Sequence, residues 1–444
     1  MTRQLKLGAF LFTPGNHAGG WRHPAAIPET DMDFALYAKL AQTAERGKLD
    51  AVFFQDTAAI ADDTLADGGR NGYARVSWLE PVTLIAALAA VTRDIGLIST
   101  ATTSYNEPYH VARKFASIDH ISGGRAGWNL VTSQIENESG NFGRDQHLEH
   151  AARYERAGEF YDVVRGLWDG WEDGALLRDK DSAIYFDTAK VHRLDHRGRH
   201  FRVRGPLNVA RSPQGRPVVS QAGSSPAGRD LAARSADLVF TAAVTLDEAR
   251  EFYADVKTRT AAHGRNPDHI KILPGLLPIV GRSEAEAHEK YQQLLDLLPA
   301  DLGSKPINRL AGELDLSKYP LDGPLPDLPP NNSALGRQKL LVDLARRDNL
   351  TIRQLAKHFA CAGGHRFIYG TPARIADEMQ HWLDNDGADG FNLMFPHFPA
   401  PLEEFVDLVV PELQRRGIFR TAYEGRTLRE NLGIPRPASP HAAR

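Results

Sequence analysis

The sequence predicts an α/β fold, namely a (β/α)8 TIM barrel with insertions. Strand-like and helix-like segments alternate about eight times along the chain. Repeated strand-then-helix order implies parallel pairing, because each parallel crossover needs a helix, and eight such units close into a barrel. An open, doubly wound sheet is the alternative. That fold predicts a G-x-G-x-x-G loop after the first strand, whereas the loop here reads TPGNHAGGW.

The predicted strands are short apolar segments, and the predicted helices have apolar residues at three- and four-residue spacing. Eight segments are predicted as strands: residues 5–12, 51–56, 95–103, 126–133, 217–223, 237–243, 272–281 and 390–395. The predicted helices cover residues 33–48, 80–93, 108–120, 149–168, 371–385 and 401–416, and three more begin at Pro226, Leu246 and Ser283. We expect a single domain over residues 1–444. Its insertions cover about 171–216, with a hairpin around HFRVRG, and about 301–370.

Composition and charge exclude several classes of protein. Among 444 residues, 53 are Lys or Arg and 56 are Asp or Glu, and this net charge of −3 gives no reason to expect nucleic-acid binding. Cys361 is the one cysteine, which excludes a disulfide within the chain. The N-terminal segment lacks a signal-peptide cleavage site, and the longest apolar stretch, 81–91, is too short to span a bilayer. We therefore expect a cytoplasmic protein that binds no metal, nucleic acid or membrane.

Candidate site residues follow the predicted strands, because the active site of a parallel barrel lies at the carboxyl ends of its strands. They are polar or aromatic: Asn16, His17, Gln55, Asp56, Thr102, Thr103, Asn129, Ser224, Ser225 and His397. Such side chains suit a heteroaromatic ligand with a sugar-like chain better than a metal. Each also has a structural explanation: Asp56 as a helix cap, and His17 and His397 as solvated loop residues. Asn129 is the hardest to explain in this way, because Asn is disfavoured inside strands.

A second group has the chemistry to bind a phosphate. His150 and Tyr154 are four residues apart at the start of a predicted helix, where free N–H groups and the helix dipole favour anions. Ser224 and Ser225 add two hydroxyls directly before the helix that begins at Pro226, although serine at this position often only caps the helix. Spacing alone does not show that the two pairs meet.

Three kinds of function remain open on these residues. The first is a barrel enzyme with a phosphate-bearing organic cofactor, and the second is a metal-free hydrolase or lyase that uses Asp56 and His17. The third is a ligand-binding protein without catalytic activity. The sequence contains no P-loop, HExxH or GxSxG motif and no obvious paired-carboxylate motif, which favours the first.

Long ordered segments resemble the bacterial-luciferase-like flavin monooxygenases. More narrowly, they resemble the branch of nitrilotriacetate, EDTA and dibenzothiophene-sulfone monooxygenases. The segments include SGGRAGWNLVTS (122–133), NFGRD (141–145), VVSQAGSSPAGRDLAARSADLVF, GTPARIADEM and RRGIFRTAYEGRTLRENLG. The resemblance therefore covers nearly the whole chain.

The resemblance implies a luciferase-like barrel that uses molecular oxygen and reduced FMN, supplied by a separate NAD(P)H:flavin reductase. The substrate would be a small organic molecule, with C–N or C–S bond cleavage. The residues implied at the flavin ring are Asp56, Thr102, Thr103 and Asn129, and those implied at its phosphate end are His150, Tyr154, Ser224 and Ser225.

The same resemblance implies three catalytic candidates, His17, Asn129 and His397, with both histidines facing the substrate. It also implies a homo-oligomer, either a dimer or a tetramer. A long-chain alkane hydroxylase of the same flavin class and the hydrolase that uses Asp56 and His17 remain the alternatives. The segment 301–370 is the natural candidate for a lid that keeps water from the site.

Overall fold

A parallel sheet closed into a ring forms the framework of the computed structural model, which describes residues 3–66, 76–312, 314–329 and 335–441. The strands are β1 Lys6–Phe10, β2 Ala51–Phe54, β3 Gly96–Thr102, β4 Ala126–Val131, β5 Leu176–Asp179, β6 Ile184–Phe186, β7 His196–Arg197, β8 Arg202–Val203, β9 Val218–Gln221, β10 Leu238–Thr241, β11 Lys271–Val280, β12 Arg366–Gly370 and β13 Gly390–Met394. Eight of them close the ring in the order β1-β2-β3-β4-β9-β10-β11-β13, and β13 pairs with β1. The predicted barrel is confirmed, and the open-sheet alternative is wrong.

Helices follow the strands and cover the outside of the ring. They are α1 Phe34–Arg46, α2 Asp62–Ala66, α3 Pro81–Val91, α4 Pro108–Ser122, α5 His150–Trp168, α6 Pro226–Ser235, α7 Leu246–Ala262, α8 Glu284–Asp296, α9 Lys305–Asn308, α10 Leu335–Arg347, α11 Ile352–Ala362, α12 Pro372–Asp384, α13 Ala400–Glu404, α14 Val410–Arg415 and α15 Leu428–Asn431. Several begin at proline, whose fixed φ suits the first helical turn. Among the described residues, no helix has both the length and the apolar character needed to cross a membrane.

Side chains alternate between the two faces of the ring, as the pleat of a strand requires. Outward-facing residues such as Trp128 pack under the helices in the larger apolar core. Inward-facing aromatic rings fill the barrel: the centroids of Phe10, Phe53 and Phe240 lie 5.5–5.7 Å apart. The barrel is therefore a packed core, with room for a ligand only above it.

The amino end of the barrel is covered by the C-terminal segment. Leu428, Leu432 and Ile434 join the apolar cluster inside the ring. Two ion pairs, the first buried and the second part-buried, fix this segment to strand-initiating loops: Arg420 contacts Asp50, and Arg429 Nη2 lies 2.8 Å from Asp237 Oδ2. These contacts leave the carboxyl ends of the strands as the open side.

Both segments interpreted as insertions depart from the barrel pattern. Within 171–216, β5 pairs antiparallel with β6, and β7 pairs antiparallel with β8 at the predicted hairpin. Within 301–370, helices α9 to α11 surround a separate apolar core that includes Leu341, Ile352 and Phe359. The same segment ends in β12, which pairs with the second half of β11 and which the sequence pattern missed. The single-domain boundaries stay a prediction.

Candidate active site

A cavity of about 250 Å³ lies at the carboxyl ends of the barrel strands. Its apolar floor includes Phe10, Phe12, Phe240 and Met394. Its walls are the first turns of α5 and the loop between β9 and α6, and residues 335–337, Gly363 and His365 also line it. The basic lining side chains are Arg153, Arg337, His150 and His365, and no described lining residue carries a carboxylate. The cavity therefore favours anions.

One end of the cavity brings together both predicted phosphate-binding pairs. His150 and Tyr154 line it with Ser224 and Ser225, and the His150 and Tyr154 rings have centroids 4.7 Å apart. A Cβ atom added to Gly223 would lie 2.9 Å from the Tyr154 hydroxyl, and one added to Gly228 would lie 3.0 Å from it. Glycine at both positions therefore lets the phenol approach the β9–α6 loop. The binding role of these residues stays a prediction.

The hydroxyls of Ser224 and Ser225 make different contacts. Ser225 Oγ accepts a hydrogen bond from the Gly228 backbone N–H at 3.1 Å, so Ser225 does cap α6. The Ser224 hydroxyl instead lies against Gly336, where any Cβ would overlap it. Since Leu335 begins α10, the N-termini of α5, α6 and α10 all border this cavity. Their dipoles add to its preference for anions.

Arg153 is a cavity residue that the sequence analysis missed. It is 2% exposed, and its Nη1 donates to the Ser133 carbonyl at 2.7 Å. The same guanidinium contacts His147, whose Nδ1 lies 2.5 Å from the Tyr105 hydroxyl. Burial and then the Arg153 charge lower the pKa of His147 to about 4. Arg153 follows His150 by three residues on a helix, and this spacing could have identified it.

Asp56 lies beside the cavity rather than in its lining, which contains the neighbouring Gln55. Asp56 Oδ1 accepts a hydrogen bond from Trp78 Nε1 at 3.1 Å. Burial raises the pKa of this carboxyl, and the hydrogen bond from Trp78 opposes that rise. The indole of Trp78 therefore orients the Asp56 carboxylate.

The other residues predicted at the flavin ring also lie outside the lining. The Thr103 hydroxyl donates to the Val131 carbonyl at 3.0 Å, and the Thr102 hydroxyl lies 2.8 Å from Ser133 Oγ. Asn129 faces the barrel interior, where its Nδ2 donates to Thr100 Oγ1 at 2.8 Å. Its Oδ1 is buried without a hydrogen-bond partner among the described residues. Thr102 and Thr103 thus tie β3 to the end of β4.

The two histidines predicted as catalytic are buried outside the cavity lining. His17 accepts a hydrogen bond at Nδ1 from the Gly19 backbone N–H at 3.1 Å, and His397 stacks on His23 with centroids 4.1 Å apart. Burial, and then the neighbouring His23, lower the pKa of each to about 3. Both are therefore neutral at physiological pH. The expectation that they are solvated loop residues is wrong, while their proposed catalytic role stays a prediction.

His365 and Arg337 were also missed by the sequence analysis. The His365 ring stacks on Phe240 with centroids 5.2 Å apart, and its Nε2 lies 3.3 Å from Arg337 Nη1. Arg337 also donates to the Gly363 carbonyl. Burial is the main cause that lowers the pKa of His365 well below its ordinary value. This pair joins the segment 301–370 to the barrel interior above Phe240.

Comparisons with known proteins agree with this architecture. A family model described as luciferase-like monooxygenase matches residues 9–390. Nitrilotriacetate monooxygenase component A of Aminobacter aminovorans is 51% identical over 98% of this chain and 97% of the relative. N-acetyl-S-(2-succino)cysteine monooxygenase of Bacillus subtilis (strain 168) is 48% identical over 99% of both chains.

A solved structure supports the same assignment. The crystal structure of a riboflavin lyase with modified FMN and substrate riboflavin has a TM-score of 0.86 and 32% identity, over 98% of this chain and 97% of that one. The resemblance found in the sequence is confirmed. The chain belongs to the luciferase-like monooxygenase family and is a flavin-dependent monooxygenase.

Proposed function

We propose that the chain is the oxygenase component of a two-component monooxygenase that uses reduced FMN, delivered by a separate NAD(P)H:flavin reductase, and molecular oxygen. The word "component" in the name of the nitrilotriacetate relative supports this division of labour. FMN in the riboflavin lyase structure supports the choice of flavin. When bound, reduced FMN supplies the electrons for the reaction with oxygen, and the protein supplies placement and electrostatics.

The shape and charge of the cavity are the main support for this proposal. The Tyr154 hydroxyl, the Ser224 hydroxyl and the Arg153 guanidinium stand at one end, beside the helix N-termini. These are the donors that a phosphate dianion requires. Phe10 and Phe240 provide an apolar surface for the ring. The residues present therefore fit FMN.

The remaining predicted residues act at the border of this cavity in our proposal. Asp56 stands beside Gln55, where its carboxylate orients the ring system. Thr102, Thr103 and Asn129 fix the strand ends on which the ring rests. The segment 301–370 covers the site through Arg337 and His365, and this cover excludes water during the reaction. Within the oligomer, each subunit carries its own cavity.

The charge of the lining supports an anionic substrate, a small carboxylate whose C–N or C–S bond is cleaved. Arg153 and Arg337 line the cavity, and no described lining residue is acidic. The two relatives near 50% identity are named for nitrilotriacetate and N-acetyl-S-(2-succino)cysteine, which both carry carboxylates. This lining disfavours a long-chain alkane. The hydrolase alternative makes Asp56 a general base that acts with His17, yet both residues lie outside the cavity lining.

Flavin binding by variants tests the proposal. Tyr154→Phe removes one hydrogen bond to a charged group, worth about 1.5–3 kcal/mol. We expect FMN affinity to fall by about 10- to 150-fold while riboflavin affinity is little changed, because riboflavin has no phosphate. Ser224→Ala should act in the same direction. Tyr161→Phe, on the same helix but outside the lining, is the matched control. Unchanged FMN affinity in both Tyr154→Phe and Ser224→Ala would mean that the phosphate site is elsewhere.

A further inference from the structure

The β7–β8 hairpin concentrates positive charge on a chain whose net charge is −3. Residues 191–204 contain five arginines and one aspartate. All five are exposed: Arg193, Arg197, Arg199, Arg202 and Arg204. Among the described residues only Arg199 has a carboxylate partner, with its Nη1 2.7 Å from Glu155 Oε1. Four arginines of the hairpin therefore face solvent without an ion pair to the described residues.

Two of these arginines oppose each other directly. Arg197 and Arg202 are register partners across the antiparallel hairpin. Like charges in this position destabilise a hairpin. The one carboxylate on the hairpin, Asp195, forms no ion pair with either of them. Because this arginine pair does not stabilise the hairpin, its charge indicates an interaction with a partner outside the hairpin.

The hairpin is fixed to α5, the helix whose first turns line the phosphate end of the cavity. Glu159 of α5 accepts hydrogen bonds from the backbone N–H groups of His200 at 2.9 Å and Phe201 at 2.8 Å, and His196 Nε2 lies 2.9 Å from it. The buried Phe201 ring packs on Phe160 of the same helix. At about 1.5 Å per helical residue, these anchors lie within roughly 15 Å of His150 along the axis.

We propose that this arginine hairpin speeds the capture of FMN by attracting its phosphate toward the cavity. The inference rests on the proposed function, since it assumes that FMN is the ligand. A phosphate monoester carries about −1.5 to −2 charges at pH 7. The electric field of exposed charges extends about 30 Å at 0.01 M salt and about 10 Å at 0.1 M. At low salt the field of the hairpin arginines therefore extends as far as the cavity. Charge of this kind raises association rates without forming a contact in the final complex.

Stopped-flow binding of reduced FMN under nitrogen, followed by tryptophan fluorescence, tests the proposal. At about 10 mM salt the double variant Arg197→Gln/Arg202→Gln should bind FMN about 3- to 10-fold more slowly than the unaltered chain. The dissociation rate and the rate for reduced riboflavin should not change. At about 0.5 M salt the two chains should bind FMN equally fast, because the charges are screened.

Two further variants separate charge from structure. Arg93→Gln/Arg426→Gln makes the same change in net charge at exposed arginines near the amino end of the barrel, and it should leave the FMN rate near that of the unaltered chain. Arg197→Lys/Arg202→Lys keeps the charge and should also keep the rate. Equal FMN rates in the glutamine hairpin variant and the unaltered chain at low salt would overturn the proposal, as would equal slowing of riboflavin. A chain that binds no FMN at all would instead contradict the proposed function.

Discussion

At the scale of single residues, the fold controls the charge of Asp56 through burial and one hydrogen bond. Burial raises the pKa of its carboxyl, and the hydrogen bond from Trp78 opposes that rise. Trp78→Phe removes the donor, so the pKa of Asp56 should rise further. If the ionised carboxylate orients the flavin, FMN binding should weaken at a higher pH in Trp78→Phe than in the unaltered chain. A pH titration of FMN affinity measures this, with Asp56→Asn as the variant that lacks the transition. Identical profiles for Trp78→Phe and the unaltered chain would separate Asp56 from flavin binding.

The buried histidines predict a loss of stability in acid. His17 and His397 each have a pKa of about 3 in the fold, against an ordinary value of 6.5. Between those values the unfolded chain binds more protons. Above pH 6.5 both histidines are neutral in the folded and the unfolded chain, and their contribution to stability is fully present. As the pH falls toward 3, the unfolded chain takes up these protons first, and the free energy of unfolding decreases. Each contributes a slope of up to about 1.4 kcal/mol per pH unit.

Urea unfolding between pH 7 and pH 5 measures that slope. The His17→Gln variant lacks one titrating group, so its free energy of unfolding should fall less steeply with acid than that of the unaltered chain. His441→Gln, which changes a histidine at an exposed position, is the control. An unchanged slope in His17→Gln would mean that His17 has the same pKa in the folded and unfolded chains, and would contradict this prediction.

The sequence predicted individual site residues where local spacing carries the information. His150 and Tyr154 share a helix face, and the structure does bring them together with Ser224. His365 and Arg337 were not predictable in this way. His365 reaches the cavity by stacking on Phe240, a residue more than a hundred positions away in the sequence, and Arg337 in turn contacts His365. No local pattern records these contacts.

At the scale of secondary-structure elements, the approach of α5 to α6 predicts a sensitive glycine. A Cβ at Gly228 would lie 2.8 Å from the Gly223 Cα atom and 3.0 Å from the Tyr154 hydroxyl. Gly228→Ala should displace the phenol and weaken FMN binding by about 10-fold, while alanine's better helix propensity offsets part of the packing strain. FMN titration and thermal unfolding measure the two effects. Gly140→Ala, where a Cβ meets nothing within 4 Å, is the control. Intact FMN affinity in Gly228→Ala would contradict this packing argument.

Elements were predictable when they were long and regular. The eight predicted strands all became strands of the ring, because buried parallel strands are continuous apolar runs. β12 was missed because RFIYG is short, begins with arginine and pairs with only half of β11. The contribution of α10 to the cavity was missed for another reason: its position depends on the separate core of α9 to α11.

At the scale of the whole molecule, the repeated order of strands and helices predicted the closed barrel. Eight units were enough to imply pairing of the last strand with the first, and β13 does pair with β1. The placement of the C-terminal segment under the barrel could not be predicted, because it depends on long-range ion pairs such as that between Arg429 and Asp237. With this end covered, the cavity at the carboxyl ends of the strands is on the other side of the barrel.

Under the proposed function, turnover requires this chain, reduced FMN and oxygen together. Oxygen uptake and product formation can be followed across a panel of small carboxylates with C–N or C–S bonds, in a mixture with NADH, FMN and a generic flavin reductase from which one part at a time is omitted. We predict oxygen-dependent product only in the complete mixture, and no NADH oxidation when the chain and FMN are present without the reductase. Product formed under nitrogen without flavin, and lost in Asp56→Ala, would contradict the monooxygenase function and favour hydrolysis.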